Sequence, residues 1–565
     1  MADTALANFA EYVHESSRNP KRVYASSSLV SNNKAPGIEA ITDSLLDDLN
    51  LRENDAISPK TALKDKSHLK RLIESRIDEG MGECIFELGL EENSGKPLNL
   101  TKQEHEEILE SVREICQDIN ACWSILAQED TTSQLLIRKK PQLPVDILEI
   151  RVAVIGNVDA GKSTLLGVLT RGGLDDGRGK ARVGLFRHKH ELESGRTSSV
   201  GMEIMGFDCF GKQIVSSDVQ RKYTWHDIQQ HAAKIIAFSD LAGHERYLKT
   251  TVFGLLGSAP DYCMLIVGAN SGMIGMAKEH LGIALALNVP IFVIVTKIDM
   301  CPANVLSATL SQLTKILKSP GCRKIPFMIK RDEDVVSAAS HCVSQKICPI
   351  FQVSNVTGLD LYRVKAFLNV LPFHGHFNSN SPVEYDIMDT FSVPFVGTVV
   401  SGTIKNGIVH AGDTLWLGPD GVGGFTAASI RTIQRKRVNV PCAKAGQSAT
   451  FALRRLRRKD VRKGMVMLSK TDTPPSAVKE FVAECLILYH QSTIKVRYSA
   501  MVHCGPVAQT CQICEIFDKP FIRTGDRALV RFRFISHPEY VTPGQKLLFR
   551  EGKTKGLGLI REVFR

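Results

Sequence analysis

The chain is 565 residues long, which is enough for three or four domains with separate hydrophobic cores. Its composition, 43% hydrophobic and 23% charged, is typical of globular proteins, and no apolar run approaches the ~18 residues of a membrane-spanning helix. The 14 cysteines lack the regular spacing of a disulfide framework. The net charge of +11 makes a polyanion such as RNA a candidate partner, although a solvated basic surface would give the same value. We therefore expect a soluble protein of a reducing compartment.

The N-terminal part of the chain divides into two regions. Residues 1–65 are rich in Ser, Asn, Asp and Lys and poor in apolar clusters, so we expect a disordered tail. Residues 66–145 predict a small α/β module, in which Thr101 and Glu104 have the spacing of a helix capping box. The predicted elements of this module are a helix over 101–119 and strands over 84–88, 121–126 and 135–138.

The rest of the chain changes its periodicity once. Residues 148–375 alternate strand and helix, which indicates a doubly wound, mostly parallel sheet. After a polar linker at 372–382, short strands separated by Gly, Asp and Pro predict two β-barrels, at 383–474 and 478–565. The predicted fold class is therefore multidomain, with one α/β domain followed by two barrels. The strands of the sheet are expected near 150–155, 203–210, 234–239, 261–267, 291–295 and 349–353.

A phosphate-binding loop is predicted where the first strand of this sheet ends. The segment VAVIGNVDAGKST, residues 152–164, combines a buried strand, a glycine-rich turn and the start of a helix. The glycines let the backbone aim its N–H groups at phosphate oxygens, and the helix N-terminus adds positive potential. We expect Lys162 to bridge the β- and γ-phosphates and Ser163 to hold Mg²⁺. The predicted nucleotide contacts here are Asn157, Val158, Asp159, Ala160, Gly161, Lys162, Ser163 and Thr164.

Two later segments predict the rest of the phosphate and metal site. The motif DLAG follows an apolar strand, so Asp240 is expected to hold Mg²⁺ through a water and the Gly243 N–H to meet the γ-phosphate. The polar stretch ESGRTSSV lies between the phosphate loop and this strand. A threonine there can close on Mg²⁺ and γ-phosphate and act as a switch. Thr197 is the candidate, with Ser198 and Ser199 as competitors.

The motif TKID predicts recognition of guanine. A carboxylate at Asp299 can accept both the N1–H and the 2-amino group of guanine, which adenine does not offer, while Lys297 covers the ring. Thr296 stands where Asn is more usual, so we expect weaker hydrogen bonding between loops. The donors expected near guanine O6 are Ser354, Asn355 and Val356.

Two further features have more than one interpretation. The cationic segments 435–437 and 454–459 in the first barrel could follow RNA phosphates or protect strand edges from pairing. Cys511 and Cys514 form a CxxC pair without a second pair nearby, so buried strand thiols are favoured over a zinc or redox site.

The stretches VIGNVDAGKST, SGRTSSVG, DLAGHERYLKT, VTKIDMCP and VSNVTGLD resemble the motifs of the translational GTPases. The domain plan is similar to that of elongation factor Tu and elongation factor 1-alpha. Over residues 66–565 the chain most resembles the GTP-binding protein 1 and 2 family. The resemblance implies a P-loop GTPase that binds GTP and GDP with Mg²⁺ and hydrolyses GTP.

The resemblance also implies roles for individual residues. His244 matches the histidine that positions the attacking water once the ribosome engages, and Asp159 matches a residue linked to a monovalent cation. Val158 matches one apolar residue of the gate that flanks this histidine. Its partner position is Arg196 instead of an aliphatic residue, which implies either faster basal hydrolysis or a contact with phosphate or RNA.

Three functions are compatible with the sequence. The leading hypothesis is a cytoplasmic, monomeric GTPase that delivers aminoacyl-tRNA or a related ligand to the ribosome. The second is a ribosome-rescue or mRNA-surveillance GTPase linked to the RNA exosome and mRNA decay. The third is a GTP-switched scaffold whose barrels bind only proteins. None of the three requires a membrane or DNA.

Overall fold

The computed structural model describes residues 65–90, 98–128, 131–186, 188–215, 223–344, 346–375, 377–552 and 554–564. The tail predicted for residues 1–65 lies outside these ranges, apart from Asp65. Within the described residues, no helix combines the length and apolar character that crossing a bilayer requires. The described residues form two compact units that divide between Lys140 and Pro141.

The N-terminal unit is a three-stranded antiparallel sheet with two helices. The capping box is confirmed, since the Thr101 hydroxyl accepts from the Glu104 N–H at 3.2 Å and the Glu104 carboxylate accepts from the Thr101 N–H at 2.9 Å. The first helix was not predicted, because its buried Leu69, Ile73 and Ile77 are spread among charged residues. The sheet order is β1-β3-β2. The elements are α1 (Lys66–Glu79), β1 (Glu83–Leu88), α2 (Lys102–Asp118), β2 (Ala121–Gln128) and β3 (Ser133–Lys139).

The second unit begins with a seven-stranded sheet, which confirms the predicted α/β class. Its order is β5-β6-β4-β7-β8-β10-β9, with every pair parallel except β5 and β6. All six predicted strands are present, and the four-residue edge strand β9 was missed because it is too short to stand out as an apolar run. The strands are β4 (Leu148–Gly156), β5 (Gly201–Phe207), β6 (Lys234–Asp240), β7 (Tyr262–Gly268), β8 (Ile291–Thr296), β9 (Ile325–Met328) and β10 (Ile347–Gln352).

The sequence motifs meet at one edge of this sheet. Because β4, β6, β8 and β10 are parallel, their carboxyl ends lie together, and each is followed by one predicted nucleotide-binding segment. The helices that connect and cover the strands are α3 (Lys162–Arg171), α4 (Lys180–Val183), α5 (Lys189–Ser194), α6 (Trp225–His231), α7 (Leu248–Gly257), α8 (Met276–Ala286), α9 (Ala303–Lys318), α10 (Glu333–Cys342) and α11 (Leu361–Val370).

The first barrel is closed by the pairing of β14 with β15. The order around it is β14-β19-β11-β12-β18-β15, and the short β16 pairs antiparallel with the end of β15. Alternate residues such as Tyr385, Ile387, Val400 and Phe451 fill its core. The strands are β11 (Glu384–Val393), β12 (Gly397–Asn406), β13 (Ile408–His410), β14 (Thr414–Gly418), β15 (Thr426–Arg435), β16 (Val438–Val440), β17 (Cys442–Lys444), β18 (Ser448–Leu453) and β19 (Val466–Ser469).

The second barrel is closed in the order β20-β23-β22-β21-β24-β25. Its strand β22 carries the CxxC pair, with Cys511 buried and Cys514 half-buried. Among the described residues, no group of His, Cys, Asp and Glu has the arrangement of a metal site, and both thiols are free. The strands are β20 (Glu480–Tyr489), β21 (Ser499–Cys504), β22 (Val507–Ile516), β23 (Arg527–Phe534), β24 (Lys546–Glu551) and β25 (Thr554–Phe564).

One cationic segment turns inward to join the first barrel to the α/β domain. Arg435 is buried and donates to the carbonyl oxygens of Pro144 and Val145 at 2.9 and 3.0 Å. Arg435 and Lys436 also pair with Glu149 of β4 at 3.2 and 2.9 Å. Because both side chains are buried, Arg435 and Lys436 are available neither to contact RNA phosphates nor to protect an exposed strand edge. Both interpretations of the segment 435–437 are therefore wrong for these two residues. The sequence could not show this, because the partners lie almost 300 positions away.

Candidate nucleotide-binding site

The predicted phosphate loop connects β4 to α3. Gly161 has a φ of +87°, a left-handed conformation that favours glycine and lets the helix begin at Lys162. Lys162 is only 7% exposed, and its Nζ donates to the carbonyl oxygen of Asn157 at 2.8 Å. Burial lowers the pKa of Lys162, while the charges of Asp240 and Asp159 oppose this shift. The lysine is thus held inside the turn that its phosphate partner is expected to fill.

The three residues predicted to hold a metal ion come together. The Ser163 Oγ lies 2.8 Å from the Thr197 Oγ1 and donates to the Asp240 Oδ2 at 2.7 Å. The Thr197 Oγ1 lies 3.4 Å from the same carboxylate oxygen. Asp240 is 4% exposed, and burial raises its pKa against the lowering effects of Lys162 and Ser163. Its other oxygen, Oδ1, is buried and has no hydrogen-bond partner among the described residues.

Glu191 decides which hydroxyl of the polar stretch faces the phosphate loop. Its buried Oε1 accepts from the backbone N–H groups of Ser198 and Ser199 at 2.7 and 3.2 Å. It also accepts from their hydroxyls at 2.8 and 3.3 Å. The structure therefore places Thr197, and neither serine, against Ser163. The sequence did not indicate Glu191, which lies six positions before Thr197 and two residues outside the polar stretch ESGRTSSV.

The loop after β8 is tied to the phosphate loop by Thr296. Its hydroxyl donates to the carbonyl oxygen of Ala160 at 2.7 Å, and the residue is fully buried. Threonine thus makes a direct bond between the loops at the position where weaker bonding was expected. Lys297 follows with a left-handed φ of +62°, and Asp299 is exposed.

The segment after β10 lies next to the TKID segment, because β8 and β10 are parallel neighbours. The Ser354 Oγ accepts from the N–H groups of Val356 and Thr357 at 3.2 and 3.1 Å, which shapes the turn. Asn355 is buried, and its Oδ1 has no hydrogen-bond partner among the described residues. The predicted base-binding residues are therefore adjacent, at the same sheet edge as the phosphate loop.

A cleft opens beside the phosphate loop. His244 lines it half-buried, and the His244 Nδ1 accepts from the Arg246 N–H at 3.1 Å. The two predicted gate residues, Val158 and Arg196, line the same cleft, and Arg182 does so although the sequence did not indicate it. The lining residues are Val158, Asp159, Gly161, Lys162, Ser163, Thr164, Arg182, Gly195, Arg196, Thr197, Gly243 and His244.

His280 supports the phosphate loop from behind. It lies on α8, is buried, and its Nδ1 accepts from the Gly156 N–H at 3.3 Å. Burial and the charge of Lys162 lower the pKa of His280 to about 3, so the ring stays neutral at physiological pH. No sequence signal indicated this contact, because a histidine on an otherwise apolar helix is typical of a core residue.

The families that match this chain support the assignment of a GTP-binding site. Residues 149–381 match the model of the elongation factor Tu GTP binding domain, and residues 397–468 match that of elongation factor Tu domain 2. A solved structure of the translation elongation factor SelB from Methanococcus maripaludis, in complex with the GTP analogue GppNHp, has the same fold. It superposes with a TM-score of 0.53 at 20% identity and covers 74% of this chain and 80% of its own.

Three relatives define the place of the chain among these proteins. GTP-binding protein 1 from Xenopus laevis is 50% identical over 512 residues, which is 90% of this chain and 77% of the relative. Human GTP-binding protein 2 is 42% identical over 88% of this chain and 84% of its own length. Elongation factor 1-alpha from Methanococcus vannielii is 27% identical over 68% of this chain and 88% of its own length. This chain therefore belongs to the GTP-binding protein 1 and 2 family of translational GTPases, and it is a GTP-binding protein that hydrolyses GTP to GDP and phosphate.

Proposed function

We propose that the GTP form of this protein carries an aminoacyl-tRNA to the ribosome and that GTP hydrolysis releases it. Coupling between GTP hydrolysis and release of the tRNA is supported by the contact of α7 with the second barrel. Leu248 and Val252 of α7, which begins four residues after His244, pack in one apolar cluster with Leu486, Leu548 and other leucines of the barrel. A rearrangement of the segment around His244 when the γ-phosphate is lost would therefore alter the contact between α7 and the second barrel. The elongation factor 1-alpha relatives support a role in translation.

The site fits the magnesium ion that this chemistry needs. Ser163 and Thr197 would hold it directly and Asp240 through a water, and the buried, unpartnered Asp240 Oδ1 has the acceptor capacity for this contact. When bound, Mg²⁺ neutralises charge on the β- and γ-phosphate oxygens. Lys162 would exchange its contact with the Asn157 carbonyl for phosphate oxygens. Asp159, which lines the cleft, is the proposed contact for a monovalent cation.

Guanine is selected by the charge of a carboxylate and by the backbone conformation of the turn after β10. Asp299 would accept from guanine, with Lys297 covering the ring and the turn at Ser354, Asn355 and Val356 facing O6. The bond from Thr296 to Ala160 keeps this base site in register with the phosphate loop. Guanine nucleotides would thus be preferred over adenine nucleotides by hydrogen bonds that adenine cannot make.

His244 has the hydrogen bonding of a residue that orients water. Its Nδ1 accepts from the Arg246 N–H, so the neutral ring carries its proton on Nε2. Such a ring donates to the oxygen of the attacking water and does not remove its proton. Arg196 in place of an aliphatic gate residue leaves this ring less shielded, and we expect measurable hydrolysis without the ribosome.

The decisive experiment compares the protein loaded with a non-hydrolysable GTP analogue and with GDP. We expect the first form, but not the second, to protect the ester bond of aminoacyl-tRNA from spontaneous hydrolysis at moderate salt. Deacylated tRNA should compete poorly. Equal protection by both forms, or binding that ignores the aminoacyl group, would contradict the proposal and favour a rescue or surveillance role linked to the exosome. Absence of tRNA binding would favour a protein scaffold.

The cellular setting and the division of the chain are part of the same proposal. We place the activity in the cytoplasm and expect the protein to act as a monomer. The proposed domains are the module at 66–145, the GTPase domain at 148–375 and the barrels at 383–474 and 478–565.

A further inference from the structure

Arg182 lies on the wall of the phosphate cleft without having been indicated by any motif. It belongs to α4, a single helical turn between the phosphate-loop helix and the switch stretch. Its side chain lines the same cleft as Lys162, Thr197 and His244. These are the residues proposed to surround the γ-phosphate, so a cation here faces the reacting group.

The backbone that carries Arg182 is fixed from two sides. The buried carboxylate of Asp175 accepts from the N–H groups of Gly177, Gly179 and Ala181 at 3.1, 3.1 and 2.9 Å. On the other side α4 presses against α3, since a Cβ at Gly167 would overlap the carbonyl oxygen of Ala181. The backbone that carries Arg182 is thus held by contacts outside the switch stretch.

The guanidinium of Arg182 also touches the switch stretch. A Cβ at Gly195 would lie 3.1 Å from the Arg182 Nη2, and Gly195 has a left-handed φ of +65°. Gly195 is two residues before Thr197, so the guanidinium lies beside the segment that carries the proposed metal ligand. The left-handed conformation at Gly195 favours glycine, and a Cβ there would push the guanidinium of Arg182 away by a few tenths of an ångström.

No carboxylate satisfies this cation within the described residues. Arg182 takes part in none of their ion pairs, and its guanidinium makes none of their side-chain hydrogen bonds, although the side chain is half-buried. An arginine presents five donors in a planar fork that matches phosphate oxygens. Arg196, the other arginine of the cleft, is more exposed and sits on the switch stretch itself.

We propose that Arg182 donates to the γ-phosphate of bound GTP and acts as an arginine supplied within the chain for hydrolysis. In this reaction the water oxygen attacks the γ-phosphorus while the bond to the β–γ bridging oxygen breaks. The electron pair stays on GDP, and the protons of water end on the released phosphate and the solvent. Arg182 stabilises the charge that accumulates on the phosphate oxygens, and an arginine in this role raises the rate by roughly 10³–10⁵.

The test compares Arg182→Ala, Arg182→Lys and the control Arg178→Ala in the full chain. Arg178 is exposed on the same segment and does not line the cleft. We expect Arg182→Ala to slow single-turnover GTP hydrolysis by roughly 10³-fold or more, as for loss of such an arginine. GDP affinity and melting temperature should stay near those of the wild type. Lysine should restore only part of the rate, because it is a point charge without the fork. Arg178→Ala should hydrolyse GTP at the wild-type rate.

A transition-state analogue separates this role from a structural one. Aluminium fluoride bound beside GDP mimics the phosphoryl group in the transition state. The wild type and Arg178→Ala should therefore form the complex with GDP and aluminium fluoride, and Arg182→Ala should not. Unchanged hydrolysis in Arg182→Ala would overturn the proposal. The proposal would also be overturned if Arg182→Ala lost GDP affinity and melting temperature together with its hydrolysis rate, because that pattern indicates a disturbed fold.

Discussion

The hydroxyl oxygens of Ser163 and Thr197 lie 2.8 Å apart, although the two residues are 34 positions apart in the chain. Asp240, at the end of β6, receives the hydrogen bond of Ser163 at 2.7 Å. The switch stretch, the phosphate loop and the DLAG motif therefore meet at one point. This is the arrangement that a nucleotide-dependent switch needs, because the γ-phosphate and its metal ion can hold all three segments together.

Replacing Thr197 should reduce the discrimination between GTP and GDP. Thr197→Ala removes a hydroxyl proposed to be used only in the GTP form, and losing one such contact costs about 1–2 kcal/mol, or roughly tenfold in affinity. We expect GTP analogues to bind roughly tenfold more weakly and GDP to bind as before. Fluorescent nucleotide titrations with and without Mg²⁺ measure both. Thr197→Ser keeps the hydroxyl and should behave like the wild type, and equal losses for both nucleotides would contradict the assignment.

Thr296 should control how long the nucleotide stays bound. Thr296→Val leaves the buried Ala160 carbonyl without its partner, which costs about 1–3 kcal/mol. Because this bond joins the base loop to the phosphate loop, GDP should dissociate roughly tenfold faster, and stopped-flow fluorescence measures this rate.

A matched control for Thr296 lies in the first barrel. The Thr398 hydroxyl donates to the Leu456 carbonyl oxygen at 2.6 Å, and Thr398 is also buried. Thr398→Val should lower stability to a similar degree without changing GDP release. If both variants released GDP at the same rate, the role of Thr296 would be only structural.

Glu149 should make the contact between the first barrel and the α/β domain sensitive to acid. Burial alone would raise its pKa, but the charges of Lys436 and Arg435 outweigh this and lower the pKa to about 2, from an ordinary value of 4.5. Because the folded pKa lies below the unfolded one, this stabilisation is complete above pH 4.5 and is lost as the pH falls towards 2.

The variant Glu149→Gln leaves two cations in the contact without their anion. We expect it to destabilise the protein by about 3–5 kcal/mol at pH 7, as for a broken buried pair. The difference from the wild type should shrink below pH 4.5, and urea unfolding at several pH values measures it. The exposed pair of Arg457 and Asp460 is the control, since Asp460→Asn should cost less than about 1 kcal/mol. A deficit that does not depend on pH would contradict the assignment.

The sequence predicted the parts of this protein that depend on local pattern. The strand before Gly156 and the capping box of Thr101 follow from periodicity and short-range spacing, and the structure has both. Arg182 and Glu191 could not be found in this way, because their roles depend on where the chain brings them and not on their neighbours. Arg435 was misread for the same reason, since a charged residue beside others is typical of a surface until its distant partner is known.

Replacing Asp299 should change the preferred base. Asp299→Asn turns a carboxylate that accepts twice into an amide that also donates, which opposes guanine and suits xanthine. Losing charge-assisted hydrogen bonds of about 1.5–3 kcal/mol each should weaken GDP binding by roughly 10²-fold or more. Xanthosine diphosphate should bind in its place, and competition titration measures both affinities. Unchanged preference for GDP would show that another residue selects the base.

The most direct test of the account is GTP turnover with and without ribosomes and aminoacyl-tRNA, for the wild type and for His244→Ala. We predict strong stimulation of the wild type. The variant should bind GTP and GDP normally and lose stimulation by roughly 10²–10³-fold, the usual cost of removing one positioned hydrogen-bond donor. A wild-type protein that binds GTP but gains no turnover from ribosomes and aminoacyl-tRNA would contradict the account.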